Sequence, residues 1–365
     1  MENLATLFNS QAAVSCAASS LQANYAQLLQ QQPKMRLRDI ASTLQVAQAT
    51  LVDQQCGISS IRLQNKFSDI IYLLPSLGYI MTLTRNNSAV HERKGIYANV
   101  SIKGPVGLVI TEDRKIDLRI ILSRWASAFA VQEPVSTGFR YSLQFFDQAG
   151  TAIQKIFLQS DSYAFSYRDL VTKFRWAQSS VLHLSEVNDQ PEYLASEEVD
   201  REKLVGEWQQ MSNVHQFSGL LKKHKVSRLQ AFSIVSEPLA QQFDPALVAS
   251  FLTAIATSEL SIMCFVGNRG NIQIHTGEIY TVKRLGPWLN ILDPEFNLHL
   301  LEDDIASAWL IRKPTVDGYI TSVELYDDSG ETITQLFGQR IEGNPENLQW
   351  RALAEGLLRE EQQLA

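Results

Sequence analysis

An α+β protein made by tandem duplication is what the amino-acid order points to. Two observations lead there: the chain repeats itself, and each copy runs from helical patterns into many alternating strands without βαβ alternation. Residues 141–150 read YSLQFFDQAG and residues 320–330 read ITSVELYDDSG, placing Phe146-Asp147 on Tyr326-Asp327 and Gly150 on Gly330. Phe157 in QKIF then falls on Phe337 in TQLF. Upstream, Gly95 and Tyr97 match Gly277 and Tyr280, and Trp125 matches Trp309. The spacing is far longer than a solenoid period, so one unit is present twice.

In the first copy, LQANYAQLLQQQ and DIASTL read as helices, and IYLLP, YIMTLTR, KIDLRIIL, RYSLQFFD and IQKIFL as strands. In the second, PALVASFLTAIA is the helix, and SIMCFVGN, NIQIHTG, FNLHLL, YITSVELYD and TITQLFGQ are the strands. DQAG and DDSG are hairpin turn signals. The stretch from Glu186 to Lys203 carries seven acids, two bases and Pro191, which marks a linker. The organisation expected is an N-terminal extension over 1–20 with no assigned role, a first repeat over 21–190, an acidic linker over 191–203 and a second repeat over 204–365.

The 365 residues fit two domains. With 45% hydrophobic and 19% charged residues, the chain is not largely disordered. A net charge of −7 argues against nucleic-acid binding by phosphate neutralisation, while leaving room for a local basic pocket. Cys16, Cys56 and Cys264 are scattered and odd in number, so neither a disulfide framework nor a cysteine zinc site is expected. No stretch approaches 18 consecutive apolar residues, and the N-terminal segment lacks a basic region before its apolar part. The expected location is cytoplasmic.

The six histidines, His91, His183, His215, His224, His275 and His299, form no zinc spacing. Phosphate-binding glycine loops and a G-x-S-x-G elbow are absent too. His215 stands out by context. GEWQQMSNVHQFSGLLKKHK has a helical pattern with Val214, Phe217 and Leu221 on one face, and His215 lies beside it, followed by Ser218 and Gly219. Glycine costs a helix interior about 1 kcal/mol relative to alanine, and a flat ligand against the helix would explain it. The plain alternative is an ordinary half-buried helix histidine. Arg119 shares a strand face with Asp117, and His299 occupies the matching place in the repeat. It points into a cavity or forms a same-face ion pair of small energetic value. Arg340 stands where the first copy has Ser160, and Lys313 and Arg228 are further bases among apolar neighbours. His91, in AVHERKG, is a candidate second ligand in the first copy, or an exposed hairpin histidine.

NVHQFSGLL, KVSRLQAF, IMCFVGNRGNIQIHTG, RKPTVDGYITSVELYD and QLFGQRIEGNPENLQWR together resemble the bacterial hemin-uptake and haem-degrading proteins of the HemS/ChuS type. RLRDIASTLQV, LTRNNSAVHERKGIY, DLRIILSRWASAF and RYSLQFFDQAG agree in the first half, so the similarity runs in order from about residue 20 to 351. The resemblance implies two large stacked antiparallel sheets with flanking helices, and haem (iron protoporphyrin IX) in a cleft of the second half. It implies His215 as the proximal iron ligand, Arg119 as the distal arginine, and Arg228 and Lys313 as the bases for the propionates. Arg340 and Gln335 belong to the distal side by the same token, with Arg119 and Arg340 in the catalytic role. Phe337 replaces a tyrosine of several relatives, so that hydroxyl is lost here. Phe217, Phe265 and Phe337 are candidate apolar walls for a porphyrin.

Two functions share this pocket. One is an enzyme that opens the porphyrin ring and frees iron, with electrons from an external donor. The other is a haem chaperone that receives haem from an inner-membrane importer and passes it to a separate haem oxygenase. An open cleft with exchangeable ligation favours the chaperone, and a donor-rich, water-excluding distal side favours the enzyme. RDIASTLQVAQATLVDQQ has the spacing of a helix-turn-helix, but its second helix carries no Lys or Arg. It is expected to pack on the first sheet.

Overall fold

The computed structural model describes residues 4–8, 20–33, 35–177, 181–186, 191–341 and 343–364, with the backbone alone at 161 and 360–364. Most of the expected N-terminal extension, with Cys16, and residues 187–190 beside the linker lie outside the described residues.

The chain divides into two compact units: 1–85, 92–188 and 268–273 in the first, and 86–91, 189–267 and 274–365 in the second. The first copy supplies β1 (Ser60–Leu63), β2 (Gly78–Arg85), β3 (Ala89–Ile96), β4 (Val100–Lys103), β5 (Val106–Ile110), β6 (Asp117–Ile121), β7 (Ser127–Val135), β8 (Gly138–Phe146) and β9 (Ala152–Ser162). The second supplies β10 (Ala240–Phe243), β11 (Ile262–Gly267), β12 (Asn271–Gly277), β13 (Val282–Leu285), β14 (Trp288–Leu292), β15 (Phe296–Leu301), β16 (Ser307–Thr315), β17 (Gly318–Tyr326) and β18 (Thr332–Gly338). They form two nine-stranded antiparallel sheets. In the first unit β1, β7, β8, β9 and β2 pair in that order, and in the second β10, β16, β17, β18 and β11 do.

The duplication is visible bond for bond at the β8–β9 and β17–β18 turns. Asp147 Oδ1 accepts from the N–H groups of Ala149 and Thr151, and Asp327 Oδ1 from those of Ser329 and Glu331. Gly150 and Gly330 close these turns at φ 79° and 80°, a left-handed conformation that glycine adopts without a Cβ penalty. The Arg119–His299 match also holds: Arg119 on β6 faces Leu108 on β5, and His299 on β15 faces Asn290 on β14.

Three expectations change. Trp125 is not the counterpart of Trp309: it lies ahead of β7, whereas Trp309 lies within β16, in the place of Phe129. IYLLP is helical, in Phe67–Leu73 and the 3₁₀ turn Leu74–Leu77, because Ile70, Ile71, Leu74 and Leu77 bury at helical spacing. Its counterpart in the second copy is the helix Val248–Thr257. The single helix expected around His215 is two, Arg201–Gln209 and Gln216–His224, with a turn between them.

Each unit has its own core. In the first, Ile70, Leu74, Phe145 and Tyr167 are fully buried, and Leu4, Leu7 and Phe8, near the start of the chain, join them. Phe8 stacks on Tyr141 at 5.9 Å, so this part of the extension is structural. The helices Leu37–Thr43 and Gln48–Gln54 match the helix-turn-helix spacing. Ala49 and Val52 pack on Phe129, Val131 and Phe146 of the sheet, as expected. In the second unit Phe251, Leu252 and Trp350 cap one sheet face. Trp208, Phe217, Phe232, Trp309 and Tyr326 form a separate aromatic cluster. Full burial of one such ring contributes about 1.5–3 kcal/mol, so this cluster is a rigid floor for whatever lies on it.

Candidate functional site

Strand alternation puts Ser322, Glu324 and Tyr326 on one face of β17, with Val323 and Leu325 in the core behind. The register sets Glu324 beside Trp309 of β16 and Gln335 of β18, and Ser322 beside Phe337. On β11, Phe265 faces Gln335, and its ring meets Phe337 edge-on at 5.1 Å.

Onto this face the helix Arg228–Val235 delivers its first residue. Ser227 caps it, the Ser227 hydroxyl accepting from Gln230 N–H while the Gln230 side chain accepts from Ser227 N–H. Arg228 donates from Nε to Glu324 Oε2 and Tyr326 Oη, both at 2.9 Å, and from Nη2 to Glu324 Oε1 at 3.2 Å. Lys313 Nζ donates to Glu324 Oε1 at 2.7 Å and to Ser322 Oγ at 3.4 Å. Ser322, Tyr326 and Gln335 donate to the same carboxylate at 2.8, 2.6 and 2.8 Å. Glu324 is therefore a fully buried anion with two cations and three neutral donors around it.

Burial alone would raise the Glu324 carboxyl, but Arg228 and Lys313 hold it well below the usual range. Burial pushes the Lys313 ammonium down to about 8, with Glu324 opposing the fall and Arg228 adding to it. Tyr326 is pushed well above its ordinary value by burial and by Glu324. The cations also sit on aromatic faces: Arg228 lies 5.0 Å from the Phe217 ring, and Lys313 lies 4.9 Å from Phe217 and 5.5 Å from Phe337.

His215 precedes the helix Gln216–His224 as its N-cap residue and is exposed. This differs from a mid-helix position, because the buried face is Phe217, Leu220 and His224 rather than Val214, Phe217 and Leu221. The turn is fastened locally: His215 N–H donates to Asn213 Oδ1 at 2.8 Å, and Gln216 Oε1 accepts from Ser212 N–H at 2.8 Å. On the same helix, a Cβ placed on Gly219 would meet no atom within 4 Å. An exposed imidazole, an open helix face and two ring-stacked cations make a donor set suited to a flat, acidic, iron-bearing ligand.

The other expected residues lie as follows. Arg119 belongs to the first unit, is about one-third exposed and pairs with Asp117 on its own strand; Arg114 reaches the same carboxylate at 3.2 Å. The same-face pair is thus the arrangement observed. Arg340 follows β18 and is half-buried. His91 is not an exposed hairpin residue but is fully buried on β3, its ring 5.0 Å from Phe296. The Phe296 ring also stacks on His275 at 3.7 Å. Among the described residues no group of three or more His, Cys, Asp or Glu could hold a bare metal ion.

The haemin-degrading HemS.ChuX domain matches residues 45–174 and again 225–357. This chain belongs to the HemS.ChuX family. The hemin transport protein HmuS of Yersinia pestis is 38% identical over 333 residues, covering 91% of this chain and 96% of that one. HemS of Yersinia enterocolitica is 37% identical over 334 residues, 92% and 96% of the two chains. Among solved structures, the heme-binding protein PhuS of Pseudomonas aeruginosa, in its holo form, superimposes with a TM-score of 0.90 at 40% identity. That match covers 94% of this chain and 99% of PhuS. The heme-degrading enzyme ChuS of Escherichia coli O157:H7 does so with 0.87 at 36% identity, over 93% and 99%.

For this HemS.ChuX protein, sequence reading found Arg228, Lys313, Gln335, Phe217, Phe265 and Phe337, which the fold brings onto or beside one sheet face. It missed Glu324, the residue that joins them. The signal was present in VELY, where an acid alternates with apolar residues of the strand YITSVELYD.

Proposed function

We propose that this protein binds haem on its second unit and degrades it to release iron. What carries the reading is the convergence of Arg228 and Lys313 on one aromatic-lined face against the Phe217 ring, on the helix that the exposed His215 precedes. His215 is the iron ligand in this reading, because an N-cap imidazole fastened only through its main chain is free to coordinate. Arg228 and Lys313 hold the propionates, and Phe217, Phe265 and Phe337 supply apolar contact for the porphyrin. Bound haem supplies the redox centre at which oxygen is activated. Arg340 supplies a guanidinium suited to donating hydrogen bonds on the distal side, with Gln335 as a neutral donor. Haem, an electron donor and an importer are the partners this reading requires, in the cytoplasm. No helix among the described residues is long and apolar enough to cross a membrane. The names of HmuS, PhuS and ChuS support haem as the ligand class.

One observation favours a second reading. His215 is exposed, so its ligation is easily exchanged, as a haem chaperone serving a separate oxygenase requires. A single-turnover visible spectrum with one equivalent of hemin separates the two, run under air with reductant and with catalase to remove free peroxide. A Soret band that forms and then decays, with release of chelatable iron, establishes the enzyme. A band that persists and moves to an added acceptor establishes the chaperone. No Soret band at all removes both.

A further inference from the structure

A buried carboxylate is out of place among residues expected to hold a ligand's carboxylates. Glu324 is already engaged with both cations: two donor atoms of Arg228 and the ammonium of Lys313 point at it. The cluster has a net charge of +1 when Lys313 is protonated, and its two cations are unequally placed. The Arg228 side chain is 26% exposed and keeps its Nη1 side clear of Glu324, whereas that of Lys313 is 4% exposed and lies between the Phe217 and Phe337 rings. An ammonium at such a place, next to a guanidinium, loses its proton readily unless an anion holds it. Three neutral donors, Ser322, Tyr326 and Gln335, keep that anion ionised even while a ligand shares its cations.

We propose that Glu324 is a positioning residue that holds Lys313 in its charged form, so that the site captures a carboxylate-bearing ligand at neutral pH and releases it in alkali. The inference rests on the haem reading for the ligand's identity, not for the state of Lys313. The charged groups acting on Lys313 are Glu324 of β17 and Arg228 of the capped helix, and the titratable Tyr326 is hydrogen-bonded to both of these. On the helix bearing Phe217, Lys223 and His224 are occupied by Glu207. On the reverse face of β16, Arg312 pairs with Glu355.

Free Lys313 loses its proton near pH 8. A bound carboxylate raises that value, so binding takes up a proton and weakens by about tenfold per pH unit above it. Replacing Glu324 by Gln removes the attraction that opposes burial, and the loss starts lower.

The test uses the full chain with iron-free protoporphyrin IX, whose titrating groups are its two propionates, and with its uncharged dimethyl ester. Affinity for the acid is expected to hold up to about pH 7.5 and fall beyond, while affinity for the ester stays level. In E324Q the break moves down by about one pH unit or more, and Lys313→Met gives weaker, pH-independent binding of the acid. A break near pH 8 that survives in E324Q, or one shared by the ester, overturns the proposal. Independently of any ligand, the Cε resonance of Lys313 is expected to titrate near pH 8 in the wild type and lower in E324Q. An ordinary lysine titration in the ligand-free chain overturns the inference even if haem binds. The expected titration without porphyrin binding would sink the haem reading instead.

Discussion

Removing one partner of a buried, hydrogen-bonded charge cluster leaves the others uncompensated and typically costs about 3–5 kcal/mol. Glu324→Ala is therefore expected to lower unfolding stability by that order in a urea titration, with unchanged m-value. Tyr326→Phe, which removes one donor of several, is expected to cost only about 1 kcal/mol. An equal loss in both variants would mean that the aromatic floor, not the carboxylate, organises the site. At this scale the sequence spoke through residue types. Arg228, Lys313 and His215 were legible because bases and a histidine among apolar residues demand a reason. Glu324 was not, because an acid in a strand is read as facing solvent until the register shows Gln335 and Trp309 beside it. Arg119 was legible as one half of a pair, and the Asp117 carboxylate supplies the other half.

The elements explain why two copies of one unit carry different chemistry. The register makes Gln144 on β8 the counterpart of Glu324, Lys155 on β9 the counterpart of Gln335, and Glu133 on β7 the counterpart of Lys313. The acid, the base and the amide have changed places on an unchanged frame. Burial pushes the Lys155 ammonium down to about 8, with Glu133 opposing, and Glu133 is itself bound by Arg140 at 2.7 Å. The helix that presents Arg228 depends on its cap, so Ser227→Ala is expected to cost about 1 kcal/mol by thermal or urea unfolding and to weaken porphyrin binding as well. Stability lost with affinity intact would show that Arg228 does not need the cap to reach the ligand. Gly338 ends β18 under the helix Leu348–Leu364, and a Cβ there would lie 2.6 Å from Trp350 Cγ. Gly338→Ala is expected to cost about 1–3 kcal/mol and to alter Trp350 fluorescence; a neutral substitution would mean the helix shifts freely. Element types were legible where alternation or helical spacing ran long, as in β8, β17 and Val248–Thr257. IYLLP was not, because a short apolar run serves a strand or a buried helix turn equally well.

Over the whole molecule, duplication was legible from matched turns, and its counterpart in three dimensions is a pair of nine-stranded sheets. What the repeat could not show was where the copies diverge in function, since that depends on which side chains meet across strands. The net charge of −7 coexists with a local cation cluster that owes its charge to an internal acid. Porphyrin binding is accordingly expected to weaken only modestly with salt, because buried and partly buried pairs are screened much less than surface charges. A loss of several hundredfold between about 50 and 500 mM salt would instead point to adsorption on exposed charge. The proposed coordination of haem by His215 on the second unit is tested directly by the visible spectrum of the full chain titrated with hemin, wild type against His215→Ala. The wild type is expected to give a saturable one-to-one Soret band, and the variant a shifted or weakened one. The same band and the same affinity in the variant would contradict the claim.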